Sequence, residues 1–174
     1  MSVAVASLEV RDVSRDDAAE LADLLNTIIA QGGTTALEQP FDAARLADAY
    51  LDGPTALCCF VAVDGEKGEL QGFQTLGRCQ DLPADIGDIG TFTRASSKQR
   101  GIGSALFAAT RTRAQQLGLS ALNATIRADN SGGLAFYERL GFVPHGVMAA
   151  VPLNDGTPVD RISKRYALTS AERM

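Results

Sequence analysis

The sequence predicts a single α+β domain, and three observations carry that reading. Strand-like and helix-like segments are mixed through 174 residues, a length that suits one core and is too short for two ordinary domains. Antiparallel hairpin signals stand on either side of one strand, helix, strand passage that needs a parallel crossover. No internal repeat or low-complexity linker divides the chain, so residues 1–174 are expected to form one unit.

Each element has a local cause. Ser14 is placed to cap the first helix, Asp17 completes a capping-box-like pattern, and Leu21, Leu24, Leu25, Ile28 and Ile29 follow at helical spacing up to Gly32-Gly33. A second helix is expected over 42–51, with Phe41, Leu46, Ala49 and Tyr50 available for packing, and Asp52-Gly53-Pro54 stops it. The continuous apolar run at 57–63 suits a buried strand, and the turn from Asp64-Gly65 to Gly68 leads to a hairpin partner over 70–76. A loop containing Pro83 precedes a strand over 87–93. Ile102, Ala105, Leu106, Ala109 and Leu117 share one side of the next helix, which Gly118 can close. Leu122, Ala124 and Ile126 alternate along a strand that reaches Arg127. Asn130 sits at a capping position for a short helix over 131–140, with Gly141 just past its end. Segments 143–153 and 159–168 flank Asn154-Asp155-Gly156, the turn of a closing hairpin.

Composition excludes several classes. A formal net charge of −5 argues against a non-specific nucleic-acid binder or a protein held to an anionic membrane, and it is compatible with a cationic amine substrate. Cys58, Cys59 and Cys79 lack CxxC spacing, and the adjacent pair would point to opposite faces of a strand, so neither a disulfide framework nor a metal site is expected. All three suit a reducing cytoplasm. The N-terminal stretch lacks a basic leader and a long hydrophobic core, and no run approaches the length of a membrane span; the reading is a soluble, cytoplasmic protein. His145, the one histidine, follows Pro144 with no evident partner and reads as a surface or packing residue.

The most informative stretch is Lys98-Gln99-Arg100-Gly101-Ile102-Gly103-Ser104, a glycine turn running into an amphipathic helix. Its glycines permit backbone conformations closed to other residues, and the free N–H groups of the first helical turn attract phosphate. Lys98 and Arg100 add full charges. The third glycine of a dinucleotide fingerprint and the Gly-Lys-Ser/Thr ending of a P-loop are both missing.

With Ile89-Gly90-Thr91-Phe92-Thr93 upstream, and Asn130 through Tyr137 to Leu140-Gly141-Phe142 downstream, the chain resembles the GCN5-related N-acetyltransferases. Their pyrophosphate loop reads Gln/Arg-x-x-Gly-x-Gly/Ala, and their later helix runs from Asn to Tyr and ends near Leu-Gly-Phe. Lys98 departs from the pattern: it offers a point charge where the family has Gln or Arg, shifting weight to the backbone amides, Gln99 and Arg100. The resemblance spans about 86–142. A weaker similarity, over 26–40, is to the phosphinothricin N-acetyltransferase branch.

The resemblance implies a mixed, mostly antiparallel central sheet with a splayed parallel strand pair and about four flanking helices. It implies acetyl-CoA as cosubstrate, without metal. Backbone groups of Thr91, Phe92 and Thr93 would hold the pantetheine arm, Lys98 through Ser104 the pyrophosphate, and Asn130 would assist. Tyr137 matches the general acid, against the alternative of a Tyr that only packs. Asp88 stands where many relatives carry a base, against a plain strand-end carboxylate, with Asp85 and Glu38 as substitutes. Thr34, Thr35 and Glu38 would meet an amino-acid-like acceptor, unless that loop merely ends a helix. The expected activity is transfer of acetyl to the primary amine of a small molecule in a ternary complex. A protein or peptide acetyltransferase and a non-catalytic acyl-CoA-binding regulator are the alternatives. The closing hairpin is a candidate homodimer face, though it packs on its own core equally well.

Overall fold

The computed structural model describes residues 7–95 and 101–168. Seven strands form one sheet: β1 (Leu8–Asp12), β2 (Ala56–Asp64), β3 (Leu70–Gly77), β4 (Ile86–Thr93), β5 (Ala121–Arg127), β6 (Val143–Pro152) and β7 (Pro158–Ala167). Their order is β1-β2-β3-β4-β5-β7-β6, and every pair is antiparallel except β4–β5. The helices are α1 (Ala18–Gln31), α2 (Ala43–Leu46), α3 (Ile102–Gln116) and α4 (Ser131–Leu140). The α+β class and the single parallel crossover are as expected.

The capping box forms as read: Ser14 Oγ accepts from Asp16 N, and Asp17 accepts from Ser14 N at 2.7 Å. It opens a 3-10 turn, Arg15–Asp17, that leads into α1. The second helix differs from expectation. Asp42 caps it through Arg45 N at 2.7 Å, but after four α-helical residues the chain continues as a π-helix, Ala47–Leu51. The strand β1 is a finding that sequence patterning did not provide. It is five residues long at the sheet edge, and β2 beside it satisfies its backbone.

Two apolar cores lie on opposite faces of the sheet. On one, Leu106 and Phe107 of α3 and Tyr137 of α4 pack with Leu122, Ala124 and Ile126 of β5. On the other, Leu21 and Leu25 of α1 and Leu46 of α2 pack with Val61 and Phe73. Adjacent Cys58 and Cys59 divide between these cores, and burial pushes the Cys58 thiol up to about 11 and the Cys59 thiol further. Native protein should therefore expose only Cys79 to a thiol reagent, and unfolded protein all three thiols. A colorimetric thiol titration with and without denaturant checks this, and rapid reaction of more than one native thiol contradicts it.

The parallel pair is short. β4 and β5 are in register only where Ile86, Gly87 and Asp88 face Ala121, Leu122 and Asn123. Beyond Asp88, β4 stays with β3 as far as Thr93, while β5 stays with β7 as far as Arg127. A gap opens between them, the splay expected from the resemblance.

The closing hairpin forms, with Gly156 at φ +87 and its N–H bonded to Leu153 C=O at 2.9 Å. A bulge interrupts it: Ala150 takes φ +52 and its N–H is held by Asp160 at 2.7 Å. The outer strand β6 does not pack on the core. Val143, Val147 and Met148 are 59%, 65% and 52% exposed.

Candidate active site

A cavity of about 900 Å³ occupies the gap between β4 and β5. Thr91, Phe92 and Thr93 form one side, Gly101, Ile102, Gly103 and Ser104 close one end, and Asn130 and Tyr137 reach it from α4. Asp88, Thr34 and Thr35 line it too. Every site residue nominated from the sequence thus borders one cavity, except Glu38, Asp85 and the three residues before Gly101. Lys98, Gln99 and Arg100 lie outside the described residues, and Glu38 is not among the lining residues.

Glu38 does something else. Both its carboxylate oxygens accept from Asn154 N, at 2.9 and 3.0 Å, so it fastens the loop after α1 to the closing hairpin. Asp85, the other substitute base, accepts from Ser120 Oγ at 2.5 Å at an exposed position outside the cavity lining. Thr34 and Thr35 are held by their carbonyls, which accept from Asn130 Nδ2 at 2.9 Å and Arg127 at 3.2 Å. Asn130 also caps α4, its Oδ1 accepting from Gly133 N at 2.9 Å. One side chain therefore ties the acceptor-side loop to the start of α4.

The backbone of β4 alternates. Arg94 N–H bonds Gln71 C=O at 2.8 Å, so the two-residue period turns Phe92 toward β3 and turns Ile89, Thr91 and Thr93 toward the gap. No β5 residue pairs with Thr91 or Thr93. The expectation for Phe92 is corrected here: its backbone groups serve the β3 ladder, and its ring stacks on Phe73 at 4.9 Å.

At the N-terminus of α3, Gly101 has φ +80, and Ala105 N–H bonds its carbonyl at 2.9 Å. The N–H groups of Ile102, Gly103 and Ser104 precede that bond and have no partner among the described residues, an arrangement that suits an anion. Gly103 has a packing reason of its own: a Cβ there would lie 2.5 Å from the Phe136 ring. Glycine at 103 thus lets α3 and α4 approach each other.

Tyr137 is 6% exposed, and its hydroxyl lies 2.8 Å from Thr91 Oγ1. Gln74, fully buried on β3, donates to the same Thr91 oxygen at 2.9 Å. Burial pushes the phenol up to about 12; the Thr91 bond pulls down and the Asp88 charge pushes up. Partial burial lifts Asp88 above its usual value, while an Asn123 hydrogen bond at 3.0 Å and the Arg165 charge act the other way. Arg165 Nε in turn donates to Asn123 Oδ1 at 2.8 Å.

The two groups belong to opposite faces. Asp88 alternates with core residue Ile89 and shares the α1–α2 face with Asn123, whereas Thr91 and Tyr137 stand on the α3–α4 face. A molecule threading the gap meets a carboxylate from one side and a phenol from the other. Gln74, Asn123 and Arg165 escaped sequence reasoning. Gln74 carried a faint signal, an amide between Phe73 and Leu76 in a strand that also holds Gln71 and Thr75; Asn123 and Arg165 carried none.

Among the described residues no group of His, Cys, Asp and Glu could hold a metal ion, and no helix is long and apolar enough to cross a membrane.

The splayed parallel pair, the free helix N-terminus beside it and the phenol facing the gap agree with a match of residues 21–142 to the acetyltransferase (GNAT) family, and the chain belongs to that family. Solved structures share its fold. A putative acetyltransferase from Salmonella typhimurium, determined with its cofactor acetyl-CoA, superposes with a TM-score of 0.78 at 18% identity, covering 96% of both chains. A phosphinothricin acetyltransferase from Sinorhizobium meliloti, in complex with acetyl-CoA, gives 0.79 at 20% identity, covering 96% of this chain and 91% of that one. A ribosomal-protein-alanine N-acetyltransferase from Brucella melitensis gives 0.77 at 19% identity, covering 92% and 99%. No curated protein matches the chain by sequence.

Proposed function

We propose that this protein transfers the acetyl group of acetyl-CoA to the primary amine of a small, amino-acid-like molecule, by direct attack in a ternary complex. The observation that carries this reading is the pair of proton-handling groups, Asp88 and Tyr137, on the two sides of one splayed gap.

The residues fit acetyl-CoA. The unpaired backbone groups of Thr91 and Thr93 would bind its pantetheine amides as a neighbouring strand would, and the N–H groups of Ile102, Gly103 and Ser104 would take the pyrophosphate with Lys98, Gln99 and Arg100. When bound, acetyl-CoA supplies an acetyl carbon activated as a thioester. Asp88, or a water it holds, accepts the proton that the amine nitrogen loses as the N–C bond forms. Tyr137 delivers its proton to the sulfur as the C–S bond breaks. Thr91, anchored by Gln74, can then donate to the phenolate oxygen. Cys58 and Cys59 are buried and held protonated, and neither is among the cavity-lining residues, which supports direct attack over an acyl-enzyme.

Free CoA thiol should appear when the protein meets acetyl-CoA and a suitable member of a panel of amino acids, sulfones and sulfoximines, phosphinothricin, polyamines and short peptides. Turnover confined to peptides would replace this reading with a protein acetyltransferase, and CoA binding without turnover on any acceptor would replace it with a regulatory module.

The exposed apolar strand β6 supports a homodimer reading. Residues 143–152 contain no Asp, Glu, Lys or Arg, and the exposed apolar side chains of β6 can meet a second copy without charge repulsion. Light scattering should return a dimer mass, and Val147→Glu should return a monomer. A monomeric wild type contradicts this.

A further inference from the structure

The cavity is lined by more positive charge than its own residues balance. Arg78, Arg94, Arg127, Arg139 and Arg161 line it, and Asp88 is the one carboxylate among its described lining residues. The chain as a whole carries −5, so this concentration runs against the overall charge. Some of these side chains are occupied: Arg94 donates to Leu70 C=O and Arg78 to Ala84 C=O.

Arg127 and Arg161 form the sharpest case. They are directly opposed across the β5–β7 pair, and they share the α1–α2 face because Ile126 and its alternates fill the other core. Like charges in this relation repel. Asp129 neutralises Arg127, bonding it at 2.7 and 2.9 Å, and Arg127 also holds Thr35 C=O. Arg161 has no hydrogen-bond or ion-pair partner among the described residues. It is half-buried in the cavity wall, and its guanidinium offers five N–H donors in a planar fork and no acceptor.

We propose that Arg161 anchors an acid group of the acceptor, so that the substrate is an amine that also carries a carboxylate, phosphinate or comparable anion. This inference rests on the acetyl-transfer reading above. Asn123, beside Asp88, and Arg127, beside Arg161, are four residues apart on β5, roughly 13 Å of strand at about 3.3 Å per residue. The long arginine stem shortens that span, and an acceptor whose anion lies several bonds from its amine bridges the rest. Amines without an acid group, polyamines among them, leave Arg161 unpaired.

The test compares glutamate, 2-aminoadipate and 6-aminohexanoate, whose distal acid groups lie several bonds from the amine, each beside the carboxamide of that acid, at matched concentrations of neutral amine. Rates come from CoA release, and affinities from calorimetry on CoA-saturated protein. The acid forms should win. Arg161→Gln should raise KM and Kd for them roughly 10- to 100-fold, leave KM for acetyl-CoA unchanged, and leave the weak carboxamide values where they were. Arg161→Lys should recover part of the loss. Equal use or binding of acid and carboxamide, or an equal effect of Arg161→Gln on both, overturns the proposal. Acid-dependent binding lost in Arg161→Gln, but without CoA release on any acceptor, supports the anion anchor and defeats acetyl transfer. CoA release indifferent to the acid group does the reverse.

Discussion

Tyr137→Phe is expected to lower kcat by about a hundredfold to a thousandfold while leaving the affinity for CoA within about twofold, the range that loss of a positioned proton donor produces. The substitution removes one oxygen from a ring held between Phe136 and Phe142, both at 5.0 Å between centroids, so packing survives. Thr91 loses the partner it has at 2.8 Å, a stability cost of about 1 kcal/mol that leaves the protein folded. The phenol, pushed up to about 12 by burial, remains protonated and ready to donate across the working range. The wild-type rate should accordingly show no alkaline decline from this residue up to the highest pH the fold tolerates. Isothermal titration with CoA, set beside steady-state kinetics, separates loss of chemistry from loss of binding. An unchanged kcat would remove Tyr137 from the reaction.

Asp88→Asn is expected to cost about a hundredfold in kcat/KM and to remove a pH limb. In the wild type the carboxyl must be ionised to accept a proton, so activity falls as pH drops through its value. Burial sets that value above the ordinary carboxylate range, against the opposing effects of Asn123 and Arg165. The acid limb therefore lies higher than for an exposed Asp. Asparagine keeps the size and can still meet Asn123, which Arg165 positions at 2.8 Å. A pH profile of kcat/KM on both proteins, with the acceptor's own ionisation measured separately, decides the point. A limb that persists unchanged in Asp88→Asn assigns it to another group.

The parts legible in the sequence were those with local causes. The capping box at Ser14 and Asp17, the left-handed Gly101 and the closing turn at Gly156 each announce themselves within a few residues. The motif residues on β4, α3 and α4 came together as expected because the crossover that joins them is short and its glycines are conformational necessities. What escaped depends on long-range pairing. β1 is a strand because β2 offers an open edge, and five residues of mixed polarity do not declare it. Glu38 reads as a polar residue near a binding loop, yet its partner, Asn154, is 116 residues away. Arg161 and Arg127 are ordinary strand arginines until the β5–β7 register sets them face to face. Gly103 reads in the sequence as a glycine of backbone freedom, and the structure gives it a packing reason, the Phe136 ring 2.5 Å from where a Cβ would stand.

The central claim is direct transfer between two molecules held in one gap, and initial-rate kinetics with the product identified by mass spectrometry test it most directly. Varying acetyl-CoA at several fixed concentrations of the best amine should give intersecting double-reciprocal lines and a product heavier than the amine by one acetyl group, bonded at nitrogen. Parallel lines with an acetylated protein, or acetyl found on an oxygen or sulfur of the acceptor, would contradict the account.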